Sequence, residues 1–229
     1  MKTSRLLLIA LFGVLFSFIS TMAQAGIAIG GTRVIFAAEK KEKTVSVKNV
    51  GNDSAYLIQS WVENIDGSKK TPFTVTPPLF RINSNSENLL RIVYMGAPLP
   101  TDRESIYWLS VKSIPGVDSA KITDNSLQVV MKTRVKLIYR PAGLPGNPED
   151  AGKALQPVRD GNMLVMRNPG PWYVSLYSLS VDGKEIKEAD LVPPKGEARF
   201  KLPGGVGRNV TWQNINDYGA ISSKTSKSI

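Results

Sequence analysis

From Gly26 onward the chain alternates apolar and polar residues with period two, and turn-forming residues interrupt the alternation about every ten positions. Successive side chains of a strand point to opposite faces, so each such segment presents one apolar face and needs a second layer to cover it. No long segment carries the 3.6-residue period of an amphipathic helix, and the expected fold class is all-β. In the first half, strands are expected at residues 27–36, 43–50, 55–63, 79–82, 88–95, 105–114 and 127–139, with Gly51-Asn52-Asp53, Asp66-Gly67 and the prolines at 98 and 100 as punctuation. In the second half they are expected at 162–167, 172–181, 197–202 and 209–215, with a tight turn at Asp182-Gly183.

Seven short strands at this spacing suit an immunoglobulin-like sandwich, although the Cys…Trp…Cys signature of antibody domains is missing. Trp61, on the strand reading Tyr-Leu-Ile-Gln-Ser-Trp-Val, is expected in the core. Residues 141–148, Pro-Ala-Gly-Leu-Pro-Gly-Asn-Pro, hold three prolines and two glycines and read as a linker. The expected organisation is a sandwich over 26–143 and a second, smaller one over 144–229.

The first 25 residues read as an address. Lys2 and Arg5 precede an apolar run over 6–19, which is shorter than the roughly 20 residues that cross a bilayer, and Ala23-Gln24-Ala25 follows as a cleavage signal. Cleavage after Ala25 would leave a soluble mature protein with no membrane span, beginning at Gly26. It would also lower the formal charge from +10 to +8, since Lys2 and Arg5 are the only charges removed. The remaining basic residues are scattered, and a secreted chain meets no genome, so nucleic acid is not an expected partner.

Cysteine and histidine are both absent. There is thus no thiol nucleophile, no imidazole base and no thiolate or imidazole for zinc, and stability must come from core burial without disulfides. A hydrolase would need a Ser-Lys pair or paired carboxylates, and neither Ser-x-x-Lys nor Gly-x-Ser-x-Gly occurs. No catalytic residue, metal or cofactor is expected.

One segment departs from ordinary strand length. Residues 127–139, Leu-Gln-Val-Val-Met-Lys-Thr-Arg-Val-Lys-Leu-Ile-Tyr, run without Gly or Pro for about twice the usual length, more than about 40 Å when extended. Leu127, Val129, Met131, Val135, Leu137 and Tyr139 share one face; Lys132, Arg134 and Lys136 share the other. Periodicity alone assigns the apolar face to a core and the basic face to water. The other reading starts from Lys136, which lies among apolar neighbours close to the linker, where a partly buried cation favours a carboxylate partner.

Several blocks together resemble one family, the periplasmic pilus chaperones, most closely those of type 1 fimbriae. They are Gly31-Thr-Arg-Val-Ile35, Tyr56-Leu-Ile-Gln-Ser-Trp-Val-Glu63, Thr76-Pro-Pro-Leu-Phe80, Leu99-Pro-Thr-Asp-Arg-Glu-Ser105, Lys136-Leu-Ile-Tyr-Arg-Pro141 and Ile215-Asn-Asp-Tyr-Gly219. Two positions depart from the family pattern: Ser110 stands where Asn is usual, and Gly116 where Pro, Ala or Ser is usual. The resemblance implies two immunoglobulin-like domains and a protein that caps fimbrial subunits by lending them a β-strand and delivers them to an outer-membrane usher. It implies that Arg33 and Lys136 grip the terminal carboxylate of a subunit. Leu127, Val129 and Met131 would fill the subunit's groove, and Glu104, Arg140 and Asp217 would tie the domains together. Leu57, Gln59, Thr76, Pro78 and Ile114 match a patch that meets the usher. The short Cys-free connection before the long strand resembles the branch that serves rod-like pili, often with tip adhesins. The rival is a structural or adhesive fimbrial component, but such subunits usually carry a disulfide, and this chain has no Cys.

Overall fold

A computed structural model describes residues 26–51, 55–116, 128–204 and 207–229. Among the described residues nine strands precede the linker: β1 (Ile27–Ile29), β2 (Arg33–Ala37), β3 (Glu42–Asn49), β4 (Tyr56–Glu63), β5 (Phe73–Thr76), β6 (Leu79–Ile82), β7 (Glu87–Tyr94), β8 (Ser105–Pro115) and β9 (Met131–Arg140). They form two sheets, β1-β3-β7-β5 and β2-β9-β8-β4-β6. The inward residues of both sheets make one core in which Phe36, Val47, Ile58, Leu90, Ile92 and Leu137 have essentially no exposed surface. Burial of this kind contributes roughly 1.5–3 kcal/mol per large side chain. Phe36, Phe73, Tyr94, Tyr107 and Tyr139 close one end as a set of edge-on and tilted ring contacts.

The expected strand over 27–36 is two strands in different sheets. Gly31 takes φ +118°, open to glycine, and a Cβ on Gly30 would collide with the Ser46 hydroxyl, so Gly30-Gly31 lets the chain cross over. β1 then pairs antiparallel with β3, whereas β2 pairs parallel with β9. β5 escapes sequence reading because its four residues lie between Pro72 and Pro77, which read as punctuation.

The second sandwich opens with a single 3₁₀ turn and a one-turn helix, α1 (Ala151–Ala154). Its strands are β10 (Gln156–Asp160), β11 (Met163–Asn168), β12 (Val174–Val181), β13 (Lys184–Glu185), β14 (Leu191–Val192), β15 (Gly196–Lys201), β16 (Asn209–Ile215) and β17 (Thr225–Ser228). A three-stranded sheet, β10-β11-β15, covers a sheet of order β13-β12-β16-β17 to which β14 adds through β12. Trp212 is fully buried at the centre, and its indole N–H donates to Gly152 O at 2.8 Å, binding α1 to the core. β17 lies in what reads as a polar Ser/Lys tail. It pairs with β16 through backbone groups, which a polar edge strand does as well as an apolar one.

Trp61 is corrected by the structure. It is half-buried on the outer face of β4, and Ile58 and Val62 on the opposite face enter the core instead.

Candidate functional site

β9 organises the site. It runs between β8 and β2, and the parallel β2–β9 register sets Arg33 directly opposite Lys136. Two cations about a hundred positions apart in sequence thereby share the outer face of one sheet, fronting the second sandwich. Lys136 is largely shielded, with 13% of its side chain exposed; its ammonium donates to Asp190 Oδ1 at 2.7 Å and to Ser175 Oγ at 3.3 Å. Arg33 Nη1 donates to Ile215 O at 2.9 Å, while its buried Nε has no partner among the described residues. Burial pulls the Arg33 guanidinium below its ordinary value, and the carboxylates of Asp217, Asp190 and Glu104 pull it back up.

Beside this pair, Arg140 joins the two sandwiches. Its Nε donates to Glu104 Oε1 at 2.7 Å, and its two terminal nitrogens meet both oxygens of Asp217 at 2.7 and 3.0 Å. The other Glu104 oxygen accepts the backbone N–H of Tyr173 at 2.7 Å, and the Arg140 guanidinium lies 5.0 Å over the Trp172 ring. Burial pushes the Glu104 carboxyl above the usual range, opposed by Arg140 and the Tyr173 N–H. The trio is thus a partly buried, hydrogen-bonded network centred on Glu104, whose side chain is only 1% exposed.

The first half of β9 is built differently. β2 pairs only with Lys136–Arg140, and Met131–Val135 pair with β8 alone. Among the described residues nothing hydrogen-bonds their other edge. Val129 is 61% exposed and Met131 60%, whereas Val135 and Leu137 on the same face are core. Leu127 lies outside the described residues.

The opposite face of β9 is not simply wet. Glu63 on β4 is buried and accepts from Lys132 Nζ at 2.7 and 3.1 Å, Trp61 Nε1 at 2.7 Å and Ser110 Oγ at 2.9 Å. Lys132 also lies 5.0 Å over the Trp61 ring, and Arg134 lies 5.1 Å over Trp108. Burial alone would raise the Glu63 carboxyl, but the bonds from Lys132, Trp61 and Ser110 outweigh it and hold it below the usual range. This cluster escaped sequence reading; the Trp-x-Glu spacing, which puts Trp61 and Glu63 on one face of β4, was its visible sign. Ser110, the first departure from the family pattern, is one of its donors.

Leu57, Gln59 and Ile114 share the outer face of β4 and β8, Leu57 and Ile114 as direct cross-strand partners. Thr76, the last residue of β5, and Pro78, in the β5–β6 connection, are exposed, and Gln59 pairs with Leu79 just beyond. Leu57 and Ile114 thus lie toward the end of the sheet away from Lys136, with Thr76 reached from the neighbouring sheet through the β5–β6 connection.

Two family models together match almost the whole described chain. Residues 26–145 match the pili and flagellar-assembly chaperone, PapD N-terminal domain, and residues 150–226 match the pili assembly chaperone PapD, C-terminal domain. The chain belongs to the PapD-like pilus chaperones. Chaperone protein FimC of Escherichia coli K12 is 47% identical over 203 residues, covering 88% of this chain and 84% of FimC. The probable fimbrial chaperone LpfB of Escherichia coli O157:H7 is 41% identical over 206 residues, 89% of each chain. Among solved structures, the complex of Salmonella enterica SafA pilin with the SafB chaperone matches with TM-score 0.81 at 36% identity, covering 91% of this chain and 99% of that one. The periplasmic chaperone SfaE matches with TM-score 0.78 at 38% identity, covering 89% and 100%. The two immunoglobulin-like sandwiches and the role of a pilus assembly chaperone follow from this membership. The family is one of chaperones, not of enzymes.

Proposed function

We propose that this chaperone captures fimbrial subunits, including a tip adhesin, by lending them the first half of β9, and hands them to an outer-membrane usher. The reading is carried by one observation: an unpaired strand edge, flanked by exposed Val129 and Met131, runs directly into the Arg33–Lys136 pair. A chain added along that edge gains backbone hydrogen bonds from β9 and apolar contacts from alternate side chains, the mode of strand addition known for chaperone–pilin pairs. A terminal carboxylate arriving at Arg33 and Lys136 accepts charge-assisted bonds, and the pinned end sets the register of every side chain before it. Leu127 extends the apolar row in sequence. Glu104, Arg140 and Asp217 hold the second sandwich against this end of the sheet, and Leu57, Gln59, Thr76, Pro78 and Ile114 form the usher-facing patch.

The chain reaches the periplasm through the signal peptide 1–25, cleaved after Ala25, and works there as domains 26–143 and 144–229. Among the described residues no helix is long and apolar enough to cross a membrane.

Co-expression with a pilin tests the anchor. Lys136→Ala and Arg33→Ala are expected to remain folded and exported but to recover about 10- to 100-fold less pilin, from a loss of roughly 1.5–3 kcal/mol per shielded charge-assisted bond. Recovery equal to the parent from both variants contradicts the anchor.

A further inference from the structure

The anchor lysine already holds a carboxylate, and it is one of the chain's own. Asp190 comes from the second sandwich and stands immediately before β14, whose pairing with β12 fixes its backbone: Leu191 is registered against Ser175, and Leu176 N–H donates to Asp190 O at 2.6 Å. From that position Asp190 Oδ1 reaches Lys136 Nζ at 2.7 Å, beside the Ser175 hydroxyl. The two partners differ sharply in exposure, 13% for the Lys136 side chain against 63% for Asp190. Pairing on both edges of β9 fixes the Lys136 backbone and its ammonium stands shielded, whereas the exposed Asp190 carboxylate can swing into water at little cost in burial.

We propose that Asp190 is an internal competitor for the carboxylate that Lys136 receives from a partner polypeptide, and that it sets the affinity of capture. This rests on the anchor reading of Lys136 given above. In the free chaperone Asp190 neutralises a shielded ammonium that would otherwise be desolvated without compensation. An arriving terminal carboxylate must displace it, and when that carboxylate leaves, Asp190 returns and keeps the site from holding a partner too long for hand-over. Asp190 also lies close enough to Arg33 to raise the basicity of its guanidinium, so its charge bears on both anchor cations.

The size of the effect follows from competition within one molecule. A partly exposed ion pair favours its closed form by a factor of roughly one to five, and a partner's apparent affinity falls with the fraction of open sites. Asp190→Asn and Asp190→Ala are therefore expected to bind a synthetic peptide carrying the C-terminal strand of a type 1 fimbrial pilin about two- to six-fold more tightly than the parent. The gain should be confined to the free-acid peptide and absent from the same peptide with an amidated terminus. Titration calorimetry of parent and both variants against both peptides separates the outcomes. Unchanged or weaker binding of the free acid by both variants, while the parent still prefers acid over amide, overturns the competitor role and leaves the anchor standing. Equal tightening of both peptides also overturns it, since that would be a general effect of charge. A parent that does not distinguish the two peptides removes the anchor and the competitor together.

Discussion

Between Lys136 and Tyr139, β9 has a neighbour on each edge and, with Val135 just before, turns Leu137 into a core with no exposed surface; between Met131 and Arg134 it has β8 alone, and Met131 stands 60% exposed. Both halves carry the same alternation on one continuous strand. The difference lies in what lines their second edge: β2 begins only opposite Lys136, so the preceding residues of β9 keep β8 on one side and have no strand on the other among the described residues. An apolar face on a strand thus records only that something will cover it. In the second half the chain's own core does so; in the first half, on the function proposed above, the cover comes from another polypeptide. The exposed half also carries Lys132 and Arg134 on alternate positions, and basic side chains on an open edge oppose its pairing with a second copy of itself.

The comparison breaks most visibly by substitution in each half. Val129→Glu with Met131→Glu should lower pilin capture by about two to four decades, from the loss of roughly 1.5–3 kcal/mol of burial at each position in the complex. The melting temperature of the free chaperone should stay within about a degree, as for ordinary surface changes. Leu137→Ala on the same face should do the reverse, costing about 2–5 kcal/mol of fold stability and lowering the melting point by about 8 °C or more. A fall of several degrees in the free double variant would mean that Val129 and Met131 belong to the chaperone's own core.

How the two halves read in sequence follows from the same physics. The all-β class and most strand positions were legible because the period-two pattern is local, as in 79–82, which the structure returns unchanged as β6. The break at Gly30-Gly31 was not, since which sheet each piece joins depends on β3 and β9 far along the chain. Arg33 and Lys136 were visible as residues, yet their opposition across a parallel pair exists only once β2 is placed. Trp61 was misassigned because a strand aromatic fits either face; here cations and Glu63 on the outer face hold it. Asp190 gave no signal at all: it is one acid among many until β14 sets it on Lys136.

Smaller changes test what holds the two sandwiches at this end of β9. Glu104→Gln or Asp217→Asn removes one charge-assisted partner of Arg140, a loss of roughly 1.5–3 kcal/mol that should fall on the contact between sandwiches rather than on either core. Small-angle scattering should show a broader distribution of shapes with near-UV circular dichroism retained. A scattering profile superimposable on the parent's would reduce the trio to a contact without influence on orientation.

The smallest expected effect is pH-dependent and concerns the rear face of the exposed half. Because Lys132, Trp61 and Ser110 hold the Glu63 carboxyl below its ordinary value of about 4.5, the folded chain binds that proton less tightly than the unfolded chain. Its contribution is therefore present above the ordinary value and is lost as pH falls through the lower folded one. Glu104 runs the opposite way: its raised value means a contribution present at low pH and lost as pH rises through the folded value. The gap in melting temperature between the parent and Glu63→Gln should be full above the ordinary carboxylate value and close as pH falls through the lower folded one. A gap that stays constant as the solution is acidified to the point of unfolding would remove Glu63 from the acid limb.

Amide hydrogen exchange along β9, measured for the free chaperone and for its complex with a pilin, tests strand lending most directly. In the free protein the amides of residues 129–135 that face away from β8 should exchange fast, while those between Lys136 and Arg140 are protected by β2. In the complex the fast set should become protected, alternate residue by alternate residue, up to Lys136. If those amides exchange at the same rate in the complex and new protection falls elsewhere, the exposed half of β9 is not the strand that is lent.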